Sequence, residues 1–133
     1  MQKSFQEVVE QIVEQDPRYD KAAYDFIREV LEFTIKQTKQ SQVETNVHVS
    51  GAQLMEGFRQ YANKEFGPLA LTVLDHWHIR SSEDVGEIVF NLINAGVFGR
   101  AETDQLSDFR ASLDFYQAFE APYESKRRSD NVA

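Results

Sequence analysis

Apolar residues recur at helical spacing along most of this chain. Between Phe5 and Val13 they fall at i, i+3, i+4, i+7 and i+8, which predicts one buried stripe on a first helix. Ser4 is a suitable N-cap for this helix. Asp16-Pro17 predicts its end, because the residue before a proline is pushed out of helical geometry.

Four further helices are predicted by similar apolar stripes and by residues that favour helix ends. Ser50 and Gln53 have the spacing of a capping box, and Gly96 suits the left-handed turn that closes a helix. Ser81 or Ser82 begins the last of the four. The predicted helices cover residues 20–39, 50–67, 68–78 and 82–95.

Three short segments have the pattern of extended chain. Residues 47–49 alternate, residues 97–100 leave the fifth helix after its glycine, and part of 109–116 has mixed spacing that fits a strand or a broken helix. Together with the fourth and fifth helices, these segments give the central region the order of helices and strands that a winged helix has. The predicted fold class is therefore mainly α, with about five helices and, as a further option, a small β-hairpin or wing.

Length and composition bound the organisation of the chain. Its 133 residues predict one globular domain at 1–120, followed by a disordered polar tail at 121–133. The absence of cysteine excludes disulfides and thiolate metal sites. Neither a signal peptide nor an apolar run of about 20 residues is present, so we expect a soluble, cytoplasmic protein without membrane contact.

The net charge of −8 disfavours nucleic acid and anionic membranes as partners. The charge is uneven, since residues 81–124 hold nine acidic and two basic side chains. Any partner of that region should be neutral or basic. A protein partner or self-association is therefore expected, and nucleic acid is not.

No catalytic, cofactor-binding or metal-binding residues are predicted. His76 and His78 stand two positions apart on a helix and point about 200° away from each other, so they do not share a metal. Neither a glycine-rich phosphate loop nor a nucleophile motif occurs. No cofactor is implied, and an enzyme with a small-molecule site built from separate helices is an alternative without a supporting motif.

A winged-helix DNA-binding regulator is the second alternative. Its recognition helix would be the fifth, where Glu83, Asp84 and Glu87 would repel phosphate. The candidate nucleic-acid contacts under this alternative are Arg80, Asn91, Asn94 and Arg100.

Aromatic residues in the C-terminal half favour the leading hypothesis, which is a non-catalytic protein-interaction or regulatory protein. Several of them lie off the clear helical stripes, and an exposed apolar patch would mark an interaction surface. A second small core under the C-terminal segment is the alternative explanation for them, and it is the simpler one. The candidate interaction surface consists of Phe90, Phe98, Phe115, Tyr116 and Phe119.

The run HVSGAQLMEGFRQYANKEFGPLALTVLDHWHIRSSEDVGEIVFNLINAGVFG resembles the signature of the Minf-type family of small bacterial proteins. The DPRY sequence at 16–19 and the later DF, DF and AF pairs match it too, so the resemblance covers roughly residues 5–120. The family pattern has glycine where this chain has His78. The family has no assigned function, so the resemblance implies no activity, ligand or catalytic residue.

Overall fold

The computed structural model describes residues 4–41, 49–97 and 113–124. The described chain is mainly helical, as predicted. A 3₁₀ turn at Gly67–Leu69 joins the third helix to the fourth. The α-helices are α1 (Phe5–Gln15), α2 (Lys21–Ser41), α3 (Gly51–Phe66), α4 (Ala70–His76), α5 (Ser82–Asn94) and α6 (Phe115–Phe119).

Side-chain caps fix the starts of three helices where the sequence predicts them. Ser4 Oγ accepts a hydrogen bond from the Glu7 amide at 3.2 Å at the start of α1. Asp20 Oδ1 accepts from the Ala22 amide at 2.9 Å at the start of α2. At α3, Ser50 and Gln53 form the reciprocal capping box. These bonds satisfy amide groups that the first helical turn leaves without a partner.

The core lies where α2 packs between α1, α3 and α5. Ile27, Phe58, Leu74 and Leu92 are fully buried within it. Burying side chains of this size stabilises the fold by roughly 1.5–3 kcal/mol each. Phe119 brings α6 into the same core, which ties the C-terminal segment to the rest of the described chain.

The ends of α4 and α5 share one hydrogen-bond pattern. After α4, the Ile79 amide donates to Leu74 O at 2.9 Å and the His78 amide to Asp75 O at 2.9 Å. This is the Schellman motif, in which the residue after the cap adopts left-handed geometry. His78 has a φ of 68°, and Gly96, at the same position after α5, has a φ of 82°.

No strand occurs in residues 4–41, 49–97 and 113–124. Phe115 and Tyr116, which the sequence allowed in a wing, lie instead in α6. The reason is local, since Asp114 Oδ1 accepts from the Gln117 amide at 3.2 Å and caps that helix. The other predicted wing residues, at 47–48, 98–100 and 109–112, lie outside the described residues.

The predicted tail begins in ordered structure. Residues 121–124 are helical, and Tyr123 Oη donates to Asn63 Oδ1 at 3.0 Å. Residues 125–133 lie outside the described part. Among the described helices, none combines the length and the apolar content that crossing a bilayer requires.

Candidate functional site

The polar loop between α1 and α2 is tied to α5 by a hydrogen-bond network. Arg18 binds both carboxylate oxygens of Asp16, at 2.8 and 2.7 Å, and reaches Glu87 of α5 at 3.2 Å. Asn91 Nδ2 donates to Asp16 Oδ2 at 3.1 Å and to the hydroxyl of buried Tyr24 at 3.0 Å. The DPRY segment therefore positions α5 against α2.

A second contact fixes the start of α5. Tyr19 Oη donates to Asp84 Oδ1 at 2.7 Å, and the Arg80 amide donates to Asp84 Oδ2 at 2.9 Å. Burial, followed by the hydrogen bond to Asp84, raises the pKa of the Tyr19 hydroxyl above its usual value. The carboxylate of Asp84 therefore occupies the N-terminal end of α5, which is the position where the helix dipole favours a negative charge.

The structure separates the predicted interaction residues. Phe115 and Phe119 are 8% and 0% exposed and belong to the core, so they do not form a surface patch. The core under the C-terminal segment, which the sequence allowed as the other explanation, accounts for these two rings. Phe90 is half-buried against the core, Tyr116 is 49% exposed, and Phe98 lies outside the described residues.

The candidate nucleic-acid contacts are also dispersed. Arg80 Nε donates to Asp75 Oδ1 at 2.7 Å, so an acidic side chain already binds its guanidinium. Asn91 is engaged by Asp16 and Tyr24, as described above. Asn94 is exposed, and Arg100 lies outside the described residues. Among the three candidates that the structure describes, only Arg80 is basic, so these three supply no basic strip for a phosphate backbone.

A groove of about 270 Å³ between α2, α3 and the end of α4 is the candidate site. One face of α2 forms one wall, with residues 22, 25, 26 and 29 at helical spacing. The last turn of α3 and the residue that follows α4 form the other walls. The lining residues are Ala22, Asp25, Phe26, Glu29, Glu65, Phe66 and Trp77.

Three aromatic rings pack together in this groove. The ring centroid of Phe26 lies 5.3 Å from that of Phe66 and 5.4 Å from that of Trp77. Phe66 and Trp77 lie 5.8 Å apart in an edge-on arrangement. Phe26 is buried, whereas Phe66 and Trp77 are half-buried and present ring surface to solvent. Tyr61 extends the row, with its centroid 5.5 Å from Phe26.

Three carboxylates surround these rings. Asp25 accepts a hydrogen bond from Gln6 Nε2 at 3.0 Å, and Glu29 accepts one from the Tyr61 hydroxyl at 3.4 Å. Burial raises the pKa of Tyr61, and the charges of Glu29 and Glu65 raise it further, so both carboxylates act on the same hydroxyl. Within the described residues, no ion pair joins these three carboxylates to a basic side chain.

The carboxylates flank the groove and do not converge on a single point. In the part of the chain that the structure describes, no three acidic or histidine side chains lie close enough together to hold a metal ion. Because carboxylates and aromatic rings line the same groove, they can contact an organic cation, with the carboxylates binding its charge and the rings packing against its apolar part.

This groove was not predicted from the sequence. Apolar spacing along α2 and α4 predicts Phe26 and Trp77 in the core, and it places Asp25 and Glu29 on the solvated face of α2. The available signal was the acidic pair four residues apart, on either side of Phe26. That signal is weak, because most charges at such positions are only solvated.

Comparison of the chain with protein-family models, with curated proteins and with solved structures found no match. The resemblance to the Minf-type proteins therefore stays a prediction.

Proposed function

We propose that this protein is a non-catalytic protein-interaction or regulatory protein, and that its partner docks on the groove between α2, α3 and the end of α4. The observation that carries this proposal is the pairing of half-buried Phe66 and Trp77 with Asp25, Glu29 and Glu65.

Rings of this kind suit an interface. Aromatic residues are enriched where protein surfaces meet, and a few of them usually supply most of the binding energy. Covering Phe66 and Trp77 would remove apolar area from water while both rings stay packed on Phe26. The cost in side-chain entropy is small, because the packing already fixes both rings.

An exposed apolar side chain follows the groove residue Phe66 in the sequence. Leu69 follows Phe66 by three residues and is 63% exposed, which makes it the more exposed of the two large apolar side chains that stand out in the described residues. The other is Tyr116, at 49%. Leu69 would add apolar contact area to a protein interface that extended from Phe66.

The rim carboxylates set the charge of the partner. Asp25, Glu29 and Glu65 add to a net charge of −8, so the surface that covers them should be basic. The sequence predicts a cytoplasmic protein, and the partner is therefore sought in the cell interior.

The test is a pull-down of the tagged full chain from its native cell lysate, with and without nuclease, read by mass spectrometry. We expect a defined protein partner that survives nuclease and is lost with Glu65→Lys, whose side chain is exposed on α3. Glu14→Lys makes the same charge change at an exposed position of α1 and should keep the partner.

Three results would count against the proposal. Loss of all retained material on nuclease treatment would move the winged-helix DNA alternative ahead. Retention of the partner by Glu65→Lys would place the interface elsewhere. Equal loss with both variants would mean that overall charge, and not the groove, holds the partner.

A further inference from the structure

We infer that the groove between α2, α3 and the end of α4 receives an arginine side chain from a basic segment of a protein partner. The inference rests on the proposed function and adds the chemical group that the site recognises. It is argued from the size of the groove, the position of its carboxylates and the way this chain packs its own arginines.

The volume of the groove suits a single long side chain. At about 270 Å³ it is below the roughly 300 Å³ at which pockets for drug-sized ligands begin. It is also open to solvent, so a segment lying across it can insert one residue. The charge at the rim requires that residue to be cationic.

The same chain already combines an arginine with a ring and a carboxylate. Arg28 lies 4.8 Å above the ring of Phe5 and 3.4 Å from Glu32. Arg18 lies 5.3 Å above the ring of Tyr19 and binds Asp16. Both are cation–π contacts completed by an ion pair, and the fold therefore places this pair of groups around arginine twice.

The groove offers the same two groups to a partner. Phe66 and Trp77 contribute half-buried aromatic rings to the groove, and Glu29 and Glu65 line it too, so a guanidinium stacked on a ring can donate N–H groups to a carboxylate. Arginine fits this geometry better than lysine, because its planar group stacks and donates at the same time. Lys64 does not compete, since its ammonium lies 5.7 Å over Phe33.

Trp77 makes the inference directly measurable. It is the only tryptophan of the chain and it lines the groove, so its fluorescence reports on this site. The probe is an acetylated and amidated peptide, Gly-Arg-Gly-Arg-Gly, titrated into the full chain. We expect a saturable change in emission, and the lysine version of the peptide should bind about threefold more weakly.

Two matched variants separate the groove from overall charge. Glu65→Gln should weaken binding of the arginine peptide about fivefold, since it removes one charge-assisted contact at an exposed rim. Glu14→Gln makes the same change of net charge on α1 and should leave the affinity within error. Circular dichroism checks that both variants keep the helical content of the parent.

Failure of the arginine peptide to bind would overturn the inference, and so would any of four further results. These are equal weakening by Glu65→Gln and Glu14→Gln, equal binding of the lysine peptide, equally tight binding of free arginine amide, and tighter peptide binding when Lys126, Arg127 and Arg128 are changed together to alanine. The last would make the chain's own basic run the occupant. If the peptide fails while a pulled-down partner still depends on Glu65, the interface stands and only the arginine assignment falls.

Discussion

Gly57 of α3 lies so close to Thr34 of α2 that a Cβ added at Gly57 would fall 1.9 Å from Thr34 Oγ1 and 3.0 Å from its Cβ. Thr34 is buried, and its hydroxyl donates to Val30 O at 2.8 Å, so the side chain has little freedom to withdraw. We expect Gly57→Ala to lower the free energy of unfolding by about 2–3 kcal/mol, measured by urea denaturation.

The opposing effect is helix propensity, which favours alanine over glycine by about 1 kcal/mol. Steric overlap should win, because the clash is with a buried group on a packed helix. Thr34→Ala removes the nearest atom, so the double variant with Gly57→Ala should lose less stability than the two single variants summed. A gain in stability from Gly57→Ala alone would mean that α2 and α3 are not in close contact here.

His78 occupies a backbone position that glycine fits better. Its φ of 68° is left-handed, and at the equivalent position after α5 the chain has Gly96 with a φ of 82°. A side chain costs roughly 1–2 kcal/mol in this conformation. We therefore expect His78→Gly to raise the free energy of unfolding by about 1 kcal/mol, partly offset by the greater freedom of glycine in the unfolded chain.

Gly96→Ala provides the reciprocal experiment. It should lower stability by about 1 kcal/mol, because alanine then has to adopt the strained geometry. Thermal unfolding of both variants and of His78→Asn, which tolerates left-handed φ better than most residues, gives the comparison. At position 78 we expect the thermal stability to decrease in the order glycine, asparagine, histidine. A loss of stability in His78→Gly would show that the imidazole makes a contact of greater value.

Local signals in the sequence account for most of the helix ends. Ser4, Ser50 and Ser81 act through hydrogen bonds to amides within three residues, and Gly96 acts through its own backbone, so no distant residue is needed. The start of α4 was predicted at Pro68 and lies at Ala70, because the chain first makes a 3₁₀ turn. Propensity does not separate the two helix types over so few residues.

The candidate site could not be predicted in the same way. Its wall residues come from α2, the end of α3 and the end of α4, and they range from buried Phe26 to exposed Glu29 and Glu65. Phe66 and Trp77 are half-buried there, whereas Phe115 and Phe119 are buried by α3. The spacing of apolar residues along one helix shows which face of that helix is apolar. Which face a neighbouring helix covers depends on tertiary packing.

Asp16 should make stability depend on pH in the acid range. Hydrogen bonds from the Arg18 guanidinium, and a smaller contribution from Asn91, lower the pKa of Asp16 from 3.8 to about 2. A depressed carboxyl pKa stabilises the fold above the unfolded pKa near 4, and this contribution is lost as the pH falls toward 2. The Arg18 side chain is 52% exposed, so we expect only about 1 kcal/mol.

Asp16→Asn is the variant that measures this contribution. It should be less stable than the parent at pH 7 and should flatten the decline in stability between pH 4 and 2 in urea titrations. Asp75→Asn is the control, because Asp75 pairs with Arg80 where both side chains are more than 60% exposed. Such a pair contributes little. An equal response of the two variants to pH would contradict the role of the Asp16 network.

Asn91 is expected to stabilise the fold through hydrogen bonds. Its Nδ2 joins Asp16 to the buried hydroxyl of Tyr24, and removing it deprives both groups of a donor. Asp16 keeps its bonds from Arg18, but the buried Tyr24 hydroxyl loses its donor, which costs about 1–3 kcal/mol, so Asn91→Ala should lower the free energy of unfolding by that amount. Asn94→Ala is the matched control, since Asn94 is exposed on the same helix and its substitution should change stability little.

The DNA-binding alternative treats the two asparagines as equivalent base contacts and predicts similar, small effects on stability. Urea denaturation of the two variants therefore decides between a structural tether and a surface group at position 91.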